Sequence, residues 1–373
     1  MSARWLARSS LLPVSRPMPE LAAFRVTDRD AWNTFVERAR YRSFPQLWEW
    51  GELRETSGWR AIRLAVGESP DQPLAGAQVL VRQVPLVGWR LGYAPRGPIG
   101  QLDDDAVRRA LIAALRDLAT GERIATVKVD PEAAAGDPFG AALLAAPWRQ
   151  AARVQPPRTR LIDLAPDEEI LLGQMSKKHR QYVHKAAREG VSVTQLSPSA
   201  TPDETAVALA DFYRIYADTA ERAGFAARVQ DYYERVWSLF DPAGHARLFS
   251  AVLRGERVAT LFHFTCGDRA AEAYGGMTDA GADSRANYLL KWEAIRAFRA
   301  DGFARYDLWG IATGGIAHFK EGFGGRQVDY VGAVDLSLRP MQDAALRMLL
   351  PTYGILQRAR LRVTGHKLAG SDD

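Results

Sequence analysis

Twice along its 373 residues this chain runs through one succession: helix, antiparallel strands, helix, strand. In the first half, Trp32, Phe35, Val36 and Ala39 recur at the spacing of one helix face, and Trp50 and Leu53 resume the pattern after the break at Pro45. WRAIRLAV (59–66) and AGAQVLVRQVP (75–85) follow as Val/Leu-rich runs with SPDQP between them, which predicts an antiparallel pair. WRLGYAPRGPIG (89–100) reads as a strand entering a Pro/Gly loop, Asp104 to Gly121 as a helix with acids at its start, and IATVKVDP (124–131) as a short buried strand.

The second half repeats this at larger scale. TRLIDL (159–164) predicts a strand, residues 166–190 a helix-rich stretch, and DETAVALADFYRIYADTAERAG and VQDYYERVWSLF two amphipathic helices. Residues 246–277 read as a three-strand meander turning at Arg254-Gly255 and Gly267-Asp268. SRANYLLKWEAIRAFRADGF is a helix and ARYDLWGI (304–311) a strand. Two mixed α/β units of one architecture, with little residue identity between them, point to a duplication. QPPRTR and APDEE place the boundary near 150–166. The expected division is a disordered extension over 1–17, a first domain over 18–160 and a second over 161–333, with 334–365 packing back on the first. No long heptad run interrupts either half, so no coiled-coil arm is expected.

Composition narrows the class. Hydrophobic residues at 47% and charged residues at 25% suit an ordinary buried core and exclude disorder for most of the chain. A net charge of +5 permits an anionic partner such as RNA, a nucleotide or a lipid surface without demanding one. The lone cysteine, Cys266, allows no internal disulfide and argues for a reducing compartment, hence a cytoplasmic location. The six histidines form neither HExxH nor a Cys/His group at zinc spacing, so no metal is expected. No apolar run reaches the ~18 residues of a membrane span. Near the N-terminus the apolar stretch LLPV is too short for a signal-peptide core, and Met18 reads as the domain start.

Three segments are denser in motif than packing explains. Tyr93-Ala-Pro-Arg-Gly-Pro98 closes a strand with two prolines and a glycine around an arginine, and a rigid loop is its plainer reading. In QMSKKHRQYVHKAAREGVSV (174–193), Lys177, Arg180, Gln181, His184, Lys185 and Arg188 recur at three- and four-residue steps, which suits phosphates and equally suits a solvated helix face. YDLWGIATGGIAHFKEGFGGRQVDYVG (306–332) holds seven glycines, which let a backbone approach a ligand, with Lys320 among them as a point charge. It has neither a P-loop order nor a GxGxxG after a strand, and turns are the other use of its glycines.

Taken in order, FPQLWEWGELRETSGW (44–59), YAPRGPI (93–99), VKVDPE (127–132), MSKKHRQYVHKAAREGVSV, TAERAGFAAR (219–228), AYGGM (273–277), YLLKWEAI (288–295), YDLWGI (306–311) and HFKEGFGG (318–325) resemble the Fem family, the FemABX or lipid II:glycine glycyltransferase group. The resemblance spans about 24–337 and implies two tandem GNAT (acyl-CoA N-acyltransferase)-like α/β domains with mixed sheets flanked by helices. It implies transfer of glycine, alanine or serine from aminoacyl-tRNA to the side-chain amine of the stem-peptide diamino acid of UDP-MurNAc-pentapeptide or lipid II, with no cofactor. The chain looks most like the compact FemX type.

By the same resemblance, Arg228 and Tyr232 correspond to a phosphate-binding pair one helical turn apart, sharing one helix face. Arg54 is the nearest match to a second phosphate contact, and Tyr274 to a substrate-groove tyrosine. Phe319 would stack on a terminal tRNA base and Lys320 pair with the 3′ phosphate or the developing oxyanion, with Lys177 and Arg180 further tRNA contacts. Asp130 matches a candidate base, a strand-ending Asp-Pro turn being the alternative, and Asp307 and Asp335 stay open as other carboxylates. Two rival functions are an acyl-CoA-dependent N-acyltransferase and a non-catalytic RNA- or lipid-binding protein of the same fold. The C-terminal RMLLPTYGILQRARLRVTGHK is expected either to graze an anionic membrane at its inner face or to pack as a helix on the first domain.

Overall fold

Asp104, the second acid of the DDD run, turns its carboxylate back to the backbone N–H groups of Ala106 and Val107, and a helix begins there. The computed structural model describes residues 21–84, 88–145, 147–311 and 315–345, so the expected extension over 1–17 and the basic C-terminal stretch past 345 lie outside it. The first half runs β1 (Ala22–Arg25), α1 (Arg29–Arg38), a 3-10 turn at Phe44–Gln46, α2 (Trp48–Glu55), β2 (Arg60–Ser69), β3 (Gln72–Gln83), β4 (Arg90–Ala94), β5 (Ile99–Gly100), α3 (Asp105–Glu122), β6 (Ile124–Val129), α4 (Pro138–Leu143) and β7 (Trp148–Gln150). The second runs β8 (Arg158–Asp163), α5 (Glu168–Gln174), α6 (Lys177–Arg188), β9 (Ser192–Gln195), α7 (Pro202–Ala223), α8 (Gln230–Phe240), β10 (Ala246–Leu253), β11 (Glu256–Cys266), β12 (Arg269–Met277), α9 (Asp279–Asp283), α10 (Ala286–Ala300) and β13 (Arg305–Asp307), then α11 (Gly315–Glu321) and β14 (Arg326–Asp329). A last strand, β15 (Val334–Ser337), follows.

Two mixed sheets result. The first has the order β1-β2-β3-β4-β6-β15-β7, with β5 on β3, and the second β14-β8-β13-β12-β11-β10-β9. The chain therefore re-enters the first sheet at β15, and β8, which spans residue 160, belongs wholly to the second. Each sheet holds one parallel pair. β4 and β6 pair along their length, from Arg90 beside Ile124 to Ala94 beside Val129. β12 and β13 pair only over Arg269–Ala271 with Arg305–Asp307, after which β12 continues to Met277 with β11 as its partner. The expected strand over 304–311 is thus cut to three residues, because Trp309 and Gly310 adopt φ +38° and +60° and turn the chain away.

Each sheet buries its own core. Ile62–Gly67 of β2 is buried without alternation, the pattern of a strand covered on both faces, and α3 and α2 both pack on it. A third core joins the halves, with Trp32, Phe44 and Leu47 against Phe240, Phe262 and Phe264. Phe44 stacks on Phe264 at 4.2 Å between centroids. Cys266 is buried in this junction. Polar contacts cross it too: Arg269 and, at 3.1 Å, the Tyr330 hydroxyl both donate to Glu132. Among the described residues no helix is long and apolar enough to cross a membrane, and no cluster of His, Cys, Asp and Glu is arranged to hold a metal ion.

Candidate active site

Where β13 leaves β12, a cavity of about 270 Å³ opens between β12, α7, α10 and α11. Its wall depends on close backbone packing. A Cβ on Gly276 would lie 2.6 Å from Thr219 Oγ1 and 2.9 Å from the Ile215 carbonyl, so glycine lets α7 lie directly on β12. The Met277 N–H donates to Thr219 Oγ1 at 3.1 Å and fixes that approach.

Charge is concentrated on this cavity. Lys291, buried in α10, donates to both oxygens of Glu272, which is buried on β12. The Tyr306 hydroxyl donates to Glu272 Oε2 at 2.9 Å, so its oxygen is left to accept from His263 Nε2–H at 2.7 Å. That sets the tautomer of His263 and leaves its buried Nδ1 without a partner among the described residues. Burial pushes His263 down to about 3 despite Glu272, so the imidazole is neutral at physiological pH. Burial disfavours the Glu272 carboxylate, yet Lys291, Lys320 and the hydrogen bonds outweigh it and hold its pKa below the ordinary value.

Lys320 and Phe319 line the same cavity. The Lys320 ammonium donates to the carbonyls of Leu308, Trp309 and Gly310 at 2.6, 2.6 and 2.8 Å. An ammonium has three donors, and here all three hold the turn that ends β13. Lys320 thus has its ammonium engaged by backbone carbonyls at the edge of the cavity. Burial brings its pKa down to about 8, against the pull of Glu272. Phe319 is half-buried and stands edge-on to Tyr288 at 5.0 Å and Phe323 at 5.3 Å, with the Lys291 ammonium 5.3 Å from its ring centre.

Tyr274 also lines the cavity, in edge contact with Tyr216 and Tyr233. Tyr232 stands edge-on to Tyr233 at 5.2 Å, and the Arg228 guanidinium lies 4.8 Å from the Tyr232 ring centre. These three expected substrate residues come together, but not as one helix face. The helix begins at Gln230, after the extended backbone of Val229, so Arg228 precedes it and reaches Tyr232 from the loop.

The other expected residues lie elsewhere. Arg54 is buried in α2, the helix that packs on α8. Lys177 is exposed at the start of α6, whereas Arg180 donates to the Gly173 carbonyl at 3.0 Å and to Met175, capping the end of α5. Asp130 is buried in the first half with both oxygens engaged: Oδ2 accepts from the Tyr93 hydroxyl at 2.8 Å and Oδ1 from the Arg96 N–H at 2.7 Å. It is not poised as a base over the cavity, and burial raises its pKa to about 6. Asp307 is buried under Arg269, and Asp335 faces Lys128 at 3.4 Å. Sequence reasoning missed Glu272, Lys291, Tyr306 and His263. The signal was a lysine among Leu289, Leu290 and Trp292 and a glutamate within an otherwise small and apolar run, opposite charges at positions that patterning assigns to the core.

Two sheets of one design, each pairing a meander strand in parallel with the strand after the next helix, and a cleft where one pair splays, define a tandem GNAT-type protein. Residues 175–321 match the acetyltransferase (GNAT) domain family, and residues 27–138 match the FemAB family. In its first half the chain is thus similar to the FemAB family. It is 26% identical over 243 residues to a lipid II:glycine glycyltransferase of Staphylococcus saprophyticus, covering 62% of this chain and 56% of the relative. Against the protein of the same name from Staphylococcus aureus strain MRSA252 it is 26% identical over 228 residues, 58% of this chain and 52% of the relative. The chain thus spans about half the length of the curated relatives it matches. Among solved structures, FemX superposes with TM-score 0.78 at 18% identity, covering 88% of this chain and 99% of FemX. A tandem GNAT protein of the clavulanic acid pathway gives 0.51 at 15%, covering 86% and 99%.

Proposed function

We propose that the chain is an aminoacyltransferase of peptidoglycan bridge synthesis, moving an amino acid from aminoacyl-tRNA to the side-chain amine of the stem-peptide diamino acid of lipid II or UDP-MurNAc-pentapeptide. It acts in the cytoplasm, at the inner membrane face when the acceptor is lipid-linked, and needs no resident cofactor. The observation that carries the reading is the splayed β12–β13 cleft, where Tyr274, Phe319 and Lys320 meet beside the buried Glu272–Lys291 pair. The name shared by the curated relatives supports the acceptor.

In this reading the acceptor amine attacks the aminoacyl ester carbonyl. The new C–N bond forms, the ester C–O bond breaks, and the amine proton ends on the departing ribose hydroxyl. Asp130 is too enclosed to take that proton, so substrate or solvent carries it. Arg228 and Tyr232 offer a guanidinium and a hydroxyl to the acceptor's diphosphate. Phe319 offers a ring to a terminal base, and Lys177 an exposed charge to the tRNA backbone.

An acyl-CoA donor would need a Gln/Arg-x-x-Gly-x-Gly/Ala loop for its pyrophosphate between β12 and α10. That interval is α9, capped by Thr278 and carrying Asp279 and Asp283, which repel a diphosphate. The test is transfer of radiolabelled amino acids from total charged tRNA onto UDP-MurNAc-pentapeptide and, separately, lipid II. Label is expected in one acceptor and reduced in Lys320→Ala and Arg228→Ala. No label in either, with acyl-CoA consumed, overturns the reading; affinity for tRNA or lipid with no transfer identifies a binding protein.

A further inference from the structure

We propose that Arg96 is a positioning residue for the cleft: reaching across from the first half, it fixes the Leu308–Gly310 turn and, through that turn, the Lys320 ammonium. The inference rests on the cleft being the transfer site. Arg96 is buried and adopts φ +53°, a conformation that a bulky residue holds only when its surroundings enforce it. Here they do. Its N–H is held by Asp130, Asp130 by the Tyr93 hydroxyl, and its Nη2 donates to the Pro156 carbonyl at 2.8 Å. The guanidinium is thereby set between two rings of the second half, 5.0 Å from the centre of Trp309 and 5.0 Å from that of Tyr330.

Trp309 links the two ends of the chain of contacts. Its ring meets Arg96 on one side and Phe44 at 4.8 Å, its N–H donates to Asp307 at 2.8 Å, and its carbonyl receives Lys320 at 2.6 Å. Trp309 itself stands at φ +38°, so the carbonyl geometry that Lys320 needs depends on the ring being clamped. The enclosed Asp130 and the Pro/Gly segment around Arg96 thus share one task with Lys320, although they lie in different halves.

The test uses the full chain labelled with 5-fluorotryptophan, the Trp309 fluorine resonance being assigned with Trp309→Phe. Arg96→Met is expected to shift that resonance and to make Lys320 acylate several-fold faster with an amine reagent, read by peptide mass spectrometry. Arg96→Lys is expected to restore both in part. In the transfer assay Arg96→Met should lower kcat by roughly 10- to 100-fold with the acceptor KM unchanged, the size of a misplacement near the reacting atoms. If folded Arg96→Met leaves the Trp309 resonance and Lys320 acylation as in the parent, the inference is wrong. Should Arg96→Met not fold, Trp309→Leu removes the ring and leaves the Asp130 contacts; unchanged Lys320 acylation in that variant overturns it equally. Changes in resonance and acylation in a chain that transfers no amino acid would keep the positioning role and discard the aminoacyltransferase reading.

Discussion

The two parallel strand pairs share one arrangement and end differently. β4 and β6 stay hydrogen-bonded to the end of β4, and beyond them Asp130, Tyr93 and Arg96 close the space with mutual hydrogen bonds. β12 and β13 part after three residue pairs, and the gap is lined by Glu272, Lys291 and Lys320. In the first half the carboxylate seals the strand ends; in the second a carboxylate–ammonium pair borders an open cavity. One pair is closed by hydrogen bonds and the other opens on a cavity.

The sharpest way to break this comparison is to remove the charge that defines the open cleft. Glu272→Gln leaves the Lys291 ammonium buried without its counter-charge, which costs about 3–5 kcal/mol. Urea unfolding measures it, and Glu272→Gln with Lys291→Met should recover most of the loss, since the pair as a unit is replaceable by apolar packing. A loss under about 1 kcal/mol in the single variant would mean that water reaches the pair and that the cleft is not dry.

The closed cleft responds to pH instead. Asp130 has its pKa raised from 3.8 to about 6 by burial, so folding favours its protonated form. The stability this confers is fully present below pH 3.8 and is lost as pH rises through 6. At 1.36 kcal/mol per unit, the loss reaches about 3 kcal/mol by pH 7. Asp130→Asn mimics the protonated form, so its stability relative to the parent should grow by up to about 3 kcal/mol between pH 4 and pH 7. Denaturant midpoints at several pH values provide the check, and a gap that shrinks with pH contradicts the burial argument.

How much of this was legible in the sequence follows the same division. Periodicity marked the β10–β11–β12 meander with both turns, α3 with its acidic start and the β2–β3 pair, because each buries a face set by residues close in sequence. The short strands β1, β7, β9, β14 and β15 escaped, being three or four residues long and specified by pairing partners far along the chain. Lys320, Phe319 and Tyr274 were singled out by a resemblance carried in short local segments, and the fold brings them to one cavity. What Lys320 does was not visible, since its three acceptors are backbone carbonyls that exist as a group only after Trp309 and Gly310 turn. Arg228 was placed on a helix that begins two residues later, a difference of boundary that leaves Tyr232 on the helix and Arg228 beside its ring.

The smallest expected effects compare one glycine in each β-strand that neighbours a parallel partner. A methyl group on Gly276 of β12 meets Thr219 Oγ1 at 2.6 Å and the Ile215 carbonyl at 2.9 Å, and the carbonyl belongs to the backbone of α7 and cannot rotate aside. Gly276→Ala must therefore push α7 off the cleft wall, at about 1–3 kcal/mol. On Gly92 of β4 the methyl meets only side-chain carbons, Val127 Cγ2 at 3.0 Å and Val79 Cγ1 at 3.3 Å, which can give by tenths of an ångström. Gly92→Ala should cost less than about 1 kcal/mol, because it adds apolar contact where it adds strain. Thermal midpoints of the two variants measured side by side decide it. Equal shifts would mean that α7 yields as easily as a valine rotamer, and the wall of the open cleft would then be soft enough to reshape around its substrate.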